Sequence, residues 1–505
     1  MSASDDAEGG GNEDRDGRTA SQSFRELFAV SRSYAIGTFG STALRYSVLP
    51  VVTRLLGATE FGLVALGIAY TSLANVLTNA GIPAAVFRYY GSSSSQDERV
   101  EVVRAGFTAA LALVLVLVVV SVLTDEVVAV LVFGDSGRWR LVRLLGAYVF
   151  VMTVVDYTKV VLRATVEPRL YNYVTIGEAL LQTVLALVII GFVSDTAYGY
   201  WMGYVVGTCL VMAPAVYRIR GWVWGMSSLG RVKQVLSFGS RLLPGTLAFW
   251  ALNVADRRII QGLLGTAMLG IYEVGYKIGR SVELVSRPVQ AAWPRFAFSG
   301  ANNKEVGENV TVGLRFGIAA LGAVSLTLTA ASPLLVRIAG PESFMPGAVV
   351  VGPVALAHMV VGLRPVLTTG IKWAEKPELE SMCAGAAVVV NIVLLLTLSE
   401  PLGLLGCALA SLVAFWLFGG GVLLFSNRSL AETDLLGAVG KPVAILLGCW
   451  GVLLAAFESF TGGPARLLTY AVVMAVYGFL IYRTGTITVR EARTVLRWLR
   501  FGDDA

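Results

Sequence analysis

Histidine is almost missing from this 505-residue sequence, which has only His358. That excludes histidine-rich zinc sites and leaves little for Ser/His nucleophilic schemes. Its setting, Ala355-Leu-Ala-His-Met, reads as a satisfied polar group inside an apolar helix. Four cysteines, Cys209, Cys383, Cys407 and Cys449, stand singly in apolar segments with no metal-ligand spacing, so they read as small core residues. Charge is also scarce, at 15% of residues against 55% hydrophobic. Neither Gly9 to Gly11 nor Gly419 to Gly421 is followed by a phosphate-loop lysine, so the chain holds no ATP motor and no cofactor is expected.

What is abundant is apolar length. The mean hydropathy of +0.70 describes a polytopic membrane protein. In a soluble protein a pI near 9.1 would suggest nucleic acid, but these basic residues sit mainly between apolar runs, where topology explains them. A 19-residue window finds fourteen candidate spans, near 33–55, 61–86, 105–124, 141–163, 170–193, 196–217, 236–256, 266–288, 312–335, 346–370, 379–398, 402–425, 441–459 and 466–483. With the N-terminus inside, Lys and Arg concentrate on the inner segments. The outer loops keep only Arg54, Arg138, Arg140, Arg257, Arg258, Arg337 and Arg466. Both termini are therefore expected in the cytoplasm.

Residues 1–26 form an acidic, Gly- and Ser-rich tail without an apolar signal region, expected to be disordered. The other tail, 486–505, places Arg490, Arg493, Arg497 and Arg500 on one helical face, as in a helix lying on anionic lipid or docked on the bundle. Between them the expected divisions are a six-helix bundle over 27–225, a second over 226–430, and two further helices over 431–485.

One span stands apart because it carries ionisable residues. Within 262–287, Glu273, Lys277, Arg280 and Arg287 share a helical face that Glu283 and Tyr276 border. A charge facing lipid costs roughly 2.5–3.5 kcal/mol, so this stripe should face protein or a water-filled pathway. Glu273 and Lys277 could also pair within the helix, but that leaves Arg280 and Arg287 unexplained.

An internal repeat aligns this region with the start of the chain. Leu55-Leu56-Gly57 followed by Gly62 and Gly67 matches Leu263-Leu264-Gly265 followed by Gly270 and Gly275. Six spans separate the copies, so both halves cross the membrane in the same sense, with a pathway between them. Pro244-Gly245, early in the seventh span, marks an expected kink or hinge.

These residues resemble the polysaccharide and oligosaccharide-lipid flippases of the multidrug/oligosaccharidyl-lipid/polysaccharide exporter superfamily. The resemblance rests on Arg54-Leu-Leu-Gly57 with Glu60-Phe-Gly62-Leu, on Pro244, and on Asp256-Arg-Arg-Ile-Ile-Gln-Gly-Leu-Leu-Gly265 followed by Gly270-Ile-Tyr272. It implies an all-α fold with two six-helix bundles in a V, and helices 1, 2, 7 and 8 lining the cavity. It also implies turning over a polyprenyl-phosphate or polyprenyl-diphosphate-linked sugar across the cytoplasmic membrane, without covalent chemistry. The expected partners are then that lipid-linked glycan, membrane lipids and glycan-assembly enzymes, and a monomer suffices.

The local residues suit that substrate. Arg45, Arg241, Lys277 and Arg280, with Glu273, form a candidate headgroup site, because guanidinium groups match phosphate oxygens. Glu178, with Gln182 one turn on, and Asp156 are candidates for a proton or sodium site, although Asp156 could simply pair with Lys159. A multidrug cation exporter of the same superfamily would want an acidic cavity, and the set here is net basic. A membrane glycosyltransferase or polysaccharide ligase would want clustered acids or histidine on a sizeable loop, and 125–140 offers no histidine and little length.

Overall fold

A computed structural model describes residues 34, 36–298, 302–430, 432–459 and 463–485. The expected acidic tail and basic amphipathic tail lie outside these residues. Those described form helices and short connections, with no strand among them. Nine of the helices are long and apolar enough to cross a membrane, or ten if the bent pair Leu229–Ser240 and Leu243–Leu264 is one span. Their outward faces stay apolar, as at Leu123 (78% exposed) and Phe192 (88% exposed), which suits lipid and not water.

Local chemistry sets where helices begin. Ser95, Thr196, Ser228 and Asn302 each cap the helix that follows with a side-chain oxygen. Proline stands in the first turn of Leu49–Asn79, Ile82–Ser92, Pro168–Phe192 and Leu243–Val254, where its missing N–H is not needed. The kink expected at Pro244-Gly245 has a bend beside it. The 47° bend falls just ahead of it, between Ser240 and Leu243, and Pro244 opens the helix beyond. Gly245 lets that helix approach Ser381, whose Oγ would lie 2.4 Å from an added Cβ.

Glycine decides where long helices turn back. Glu378–Ser429 has 52 residues, roughly 78 Å at 1.5 Å per residue, far longer than one crossing. Gly403 breaks it at φ 57° and ψ −133°. The arms then close up, with Ser399 Oγ 3.2 Å from Cys407 Sγ.

The same device occurs twice in the aligned segments. Gly57 (φ 69°, ψ −179°) and Gly265 (φ 91°, ψ 164°) adopt nearly the same backbone conformation, one that residues with a Cβ rarely reach. The segments that follow pack on each other reciprocally. A Cβ on Gly62 would lie 2.1 Å from Thr266 O, and one on Gly270 would lie 2.0 Å from Ala58 O. Residues 58 and 62 align with 266 and 270, so each segment gives its glycine to the partner's first-turn carbonyl.

This seam is reinforced around its rim. Thr53 Oγ1 donates to Ala339 O at 2.5 Å and Arg54 to Ile338 O at 3.1 Å. In the other direction, Gln261 donates to Phe133 O at 2.5 Å and Arg258 to Leu131 O at 2.9 Å. A hydrophobic core there draws on both halves, including Phe61, Leu66, Tyr272 and Val350. Away from the seam the packing splits into separate cores, one around Ile82, Val155 and Val235 and another around Val282, Leu356 and Phe415. Contact between the halves continues beyond the seam: a Cβ on Gly239 would lie 2.2 Å from Ala80 O, and Trp250 donates to Ser72 at 2.9 Å.

Candidate functional site

Two polar networks lie inside the helices, one in each half. In the first, Lys159 Nζ stands 2.6 Å from Glu178 and 2.9 Å from Asp156, both contributed by neighbouring turns or helices of Trp139–Ala164 and Pro168–Phe192. Asn75 donates to the other oxygen of Asp156 at 3.0 Å. Gln182 donates to Thr208 at 2.8 Å and to Glu178 at 3.2 Å, and its carbonyl accepts from Arg45 at 2.9 Å. The carboxylates expected to take a coupling ion therefore share an ammonium of the chain itself. Asp156 makes the expected pair with Lys159, and Glu178 joins the same cation.

The second network centres on Arg257, which the charge count had placed in an outer loop. It is instead 4% exposed, because the helix Asp256–Leu264 carries it under the glycine seam. Its guanidinium reaches Asp256 at 2.6 Å, Glu273 at 3.3 Å and Asn253 O at 2.6 Å, and covers the Tyr276 ring at 4.0 Å. Glu273 is thus paired between helices, not with Lys277 within one. No local spacing reveals this, since the partners are 16 residues apart on different helices; the adjacency of Asp256 to Arg257 was the available signal.

From Tyr276 the network continues to His358, the one histidine, which is fully buried. Nε2 lies 2.8 Å from the Tyr276 hydroxyl and Nδ1 lies 2.5 Å from Glu283. Glu283 also meets Arg280 at 3.4 Å, a looser contact to a side chain that is 44% exposed. Arg287, about one turn beyond Glu283, donates to Thr42 at 3.1 Å and so spans the two halves.

The headgroup candidates divide accordingly. Arg45 is exposed and has Tyr148, Tyr200 and Tyr204 within electrostatic reach, while adjacent Tyr46 neighbours Arg280, Glu283 and Arg287 of the facing half. The first helix thereby brings Arg45 and the stripe to one gap. Lys277 is half-buried, with its ammonium 4.8 Å from the centre of the Phe61 ring across the seam. Arg241 lies exposed at the bend before Pro244, and no contact among the described residues joins it to the other three cations. Glu273 is buried in the Arg257 network and does not face the gap.

Charge bookkeeping follows from these contacts. In the two networks Asp156 and Glu178 have Lys159, Asp256 and Glu273 have Arg257, and Glu283 has Arg280. Arg45 and Lys277 meet neutral groups, an amide oxygen and an aromatic face. Five carboxylates thus face five cations, and the difference is one of position: Arg45 and Arg280 are exposed and Lys277 half-buried, while Glu178, Asp256 and Glu273 are buried. Beside it, Val289, Trp293, Phe316 and Leu363 line an apolar cleft of about 180 Å³. No cluster of three or more metal-ligating side chains occurs among the described residues.

Comparison with known proteins agrees on the fold. Residues 31–300 match the family described as polysaccharide biosynthesis protein. The solved structure of a lipid II flippase, MurJ, in an inward closed conformation is 14% identical with a TM-score of 0.64, over 91% of this chain and 99% of that one. An outward-facing multidrug resistance transporter of the MATE family, in the MOP superfamily, is 12% identical with a TM-score of 0.56, over 81% and 96%. The bent form of the Vibrio cholerae MATE transporter VcmN is 12% identical with a TM-score of 0.54, over 82% and 99%. No curated protein matches.

Proposed function

The chain belongs to the polysaccharide biosynthesis protein family, with the transporter fold shared by flippases and multidrug exporters, and on that premise we propose that it flips a lipid-linked glycan. The substrate is a polyprenyl-phosphate or polyprenyl-diphosphate-linked sugar of the cytoplasmic membrane, used for surface polysaccharide or glycoprotein assembly. The observation that carries this reading is which charges reach the gap. Glu178, Asp256 and Glu273 are buried against cations of the chain, whereas Arg45 and Arg280 are exposed and Lys277 is half-buried. A phosphate entering the gap meets cations first, and a cationic drug meets carboxylates already paired behind them.

In this reading the halves 27–225 and 226–430 rock about the glycine seam. The positive-inside pattern puts both termini in the cytoplasm and the seam, rimmed by Arg54 and Arg258, at the outer face. The opposite end then faces the inner leaflet, where the headgroup enters between Arg45, Lys277 and Arg280 once the Gly239–Ala80 and Trp250–Ser72 contacts part. Its prenyl chain stays in lipid or in the neighbouring apolar cleft. Asp156, Glu178 and Lys159 position Gln182, which orients Arg45. Opening the seam and closing the other end releases the headgroup outside, and no covalent step is involved.

The test is translocation of a polyprenyl-diphosphate-linked sugar in proteoliposomes, with inserted protein quantified for each variant. Arg45→Ala and Arg280→Ala each remove a charge-assisted contact, so the rate should fall roughly ten- to hundredfold with normal insertion. Wild-type rates in both variants would reject the basic-gap site. Export of cationic dyes without lipid movement would reject the substrate class.

A further inference from the structure

The hydrogens of the second network have two arrangements, which differ in whether the Tyr276 hydroxyl donates to His358 or to Asn253 O. Tyr276 has a single hydroxyl proton but two acceptors in reach, Asn253 O at 3.1 Å and His358 Nε2 at 2.8 Å. When the imidazole carries one proton, on Nδ1 toward Glu283, Nε2 takes the Tyr276 proton and Asn253 O keeps only its bond from Arg257. When the imidazole carries two, Nε2 donates to Tyr276 and Tyr276 donates to Asn253. The chain Glu283–His358–Tyr276–Asn253 is then closed, joining Ala348–Leu367 through Thr266–Arg280 to Leu243–Val254.

The groups around the ring decide what that second proton answers to. Val282–Ala297 contributes Glu283, Thr266–Arg280 contributes Tyr276 and Arg280, and Asp256–Leu264 contributes Arg257. Glu378–Ser429 adds the neutral Phe415 ring at 5.1 Å. Lys277 and Glu273, on the same helix as Tyr276, are directed to Phe61 and Arg257. Arg257 is held by two carboxylates and a carbonyl, so it does not leave. Arg280 is the removable partner: it touches Glu283 at 3.4 Å from an exposed position at the gap, while His358 is fully buried on the other side of the same carboxylate.

We propose that Glu283, His358 and Tyr276 form a proton-binding site linked to headgroup binding. A phosphate in the gap draws Arg280 away from Glu283, and a proton taken from water onto His358 restores the lost positive charge. The inference rests on reading the gap as a headgroup site. Linkage is reciprocal, so the proton also frees Arg280 for the phosphate, and the closed chain ties the seventh span to the eighth when the headgroup is bound. Phosphate affinity therefore rises as pH falls through the histidine titration, by up to about tenfold per pH unit for one linked proton.

The experiment is calorimetric binding of a short-chain polyprenyl monophosphate to the full chain in nanodiscs, from about pH 5.5 to 8, in buffers of different ionisation enthalpy. Wild type should take up close to one proton more per bound lipid than His358→Gln, whose amide still donates to Glu283 and accepts from Tyr276. Uptake that persists in the variant belongs to the phosphate itself. If His358→Gln does not fold, Glu283→Gln provides the comparison and should lose the same proton. Binding with equal proton uptake in wild type and variant overturns the proton site alone. Absence of binding at every pH overturns the headgroup reading, and the proton site with it.

Discussion

Adding one methyl group at the glycine seam should tilt the balance between the two conformations. In Gly62→Ala the new Cβ would lie 2.1 Å from Thr266 O and 3.0 Å from Thr266 Cγ2. The nearer atom is backbone, held in the first turn of Thr266–Arg280, so it cannot rotate away as a side chain would. Ordinary contact begins near 3.4 Å, so the two helices must separate by about 1.3 Å at that point. Overpacking of this kind costs about 1–3 kcal/mol. The cost falls on the seam-closed state alone, which lowers its population relative to the seam-open state about 5- to 150-fold. Spin labels on exposed Leu55 and Leu334, in opposite halves near the seam, would report it as a second, longer distance in pulsed dipolar spectra. Gly270→Ala should act alike through Ala58 O, and the double variant should add little because both wedges open one seam. Gly91→Ala, with nothing within 4 Å of its added Cβ, is the control and should match wild type. If Gly62→Ala and Gly91→Ala give the same distances, the seam is not the closing contact.

The buried ion network and the end away from the seam make separate predictions. Arg257→Met leaves Asp256 and Glu273 buried without their cation, so detergent-solubilised protein should lose roughly 3–5 kcal/mol of stability. Much of that should return when Asp256→Asn and Glu273→Gln are added, whereas no recovery would mean that the loss is one of packing. Trp250 Nε1 donates to Ser72 across the halves at 2.9 Å, so Trp250→Phe should favour opening at the end away from the seam by about 0.5–1.5 kcal/mol. Labelling of a cysteine in the gap from the cytoplasmic side would measure it, and slower labelling would contradict the reasoning.

Much of the fold could be read in the chain because its strongest signals are local. Apolar length gave the all-helical membrane fold, although nine or ten helices among the described residues, not fourteen, are long and apolar enough to cross, and the Leu-Leu-Gly repeat pointed to two positions with the same unusual backbone. The site was less legible, because its partners are set by helix packing. Arg257 and Arg258 are neighbours in a polar triplet at a span end, and sequence alone assigns both to a loop. In the structure they point about 100° apart, Arg257 into the carboxylates and Arg258 to the Leu131 carbonyl across the rim. Glu273 and Lys277 had the right spacing to pair, but Arg257 on the adjacent helix reaches Glu273. Arg241 has the expected chemistry, but it stands exposed at the bend before Pro244, and no contact among the described residues joins it to Arg45, Lys277 or Arg280. The links from His358 to Tyr276 and Glu283 cross 82 and 75 residues, and no spacing rule connects them.

Locking the seam tests the central claim, that the two halves rock to carry a lipid-linked sugar across. Thr53 bonds the Ala339 carbonyl across the rim, so Thr53→Cys with Ala339→Cys, in a chain whose Cys209, Cys383, Cys407 and Cys449 are replaced by alanine, places a removable cross-link there. Translocation in proteoliposomes would be followed before oxidation, after oxidation and after reduction. The account predicts that transport stops when the bond forms and recovers when it is reduced. Transport that continues at the same rate with the seam locked would contradict it.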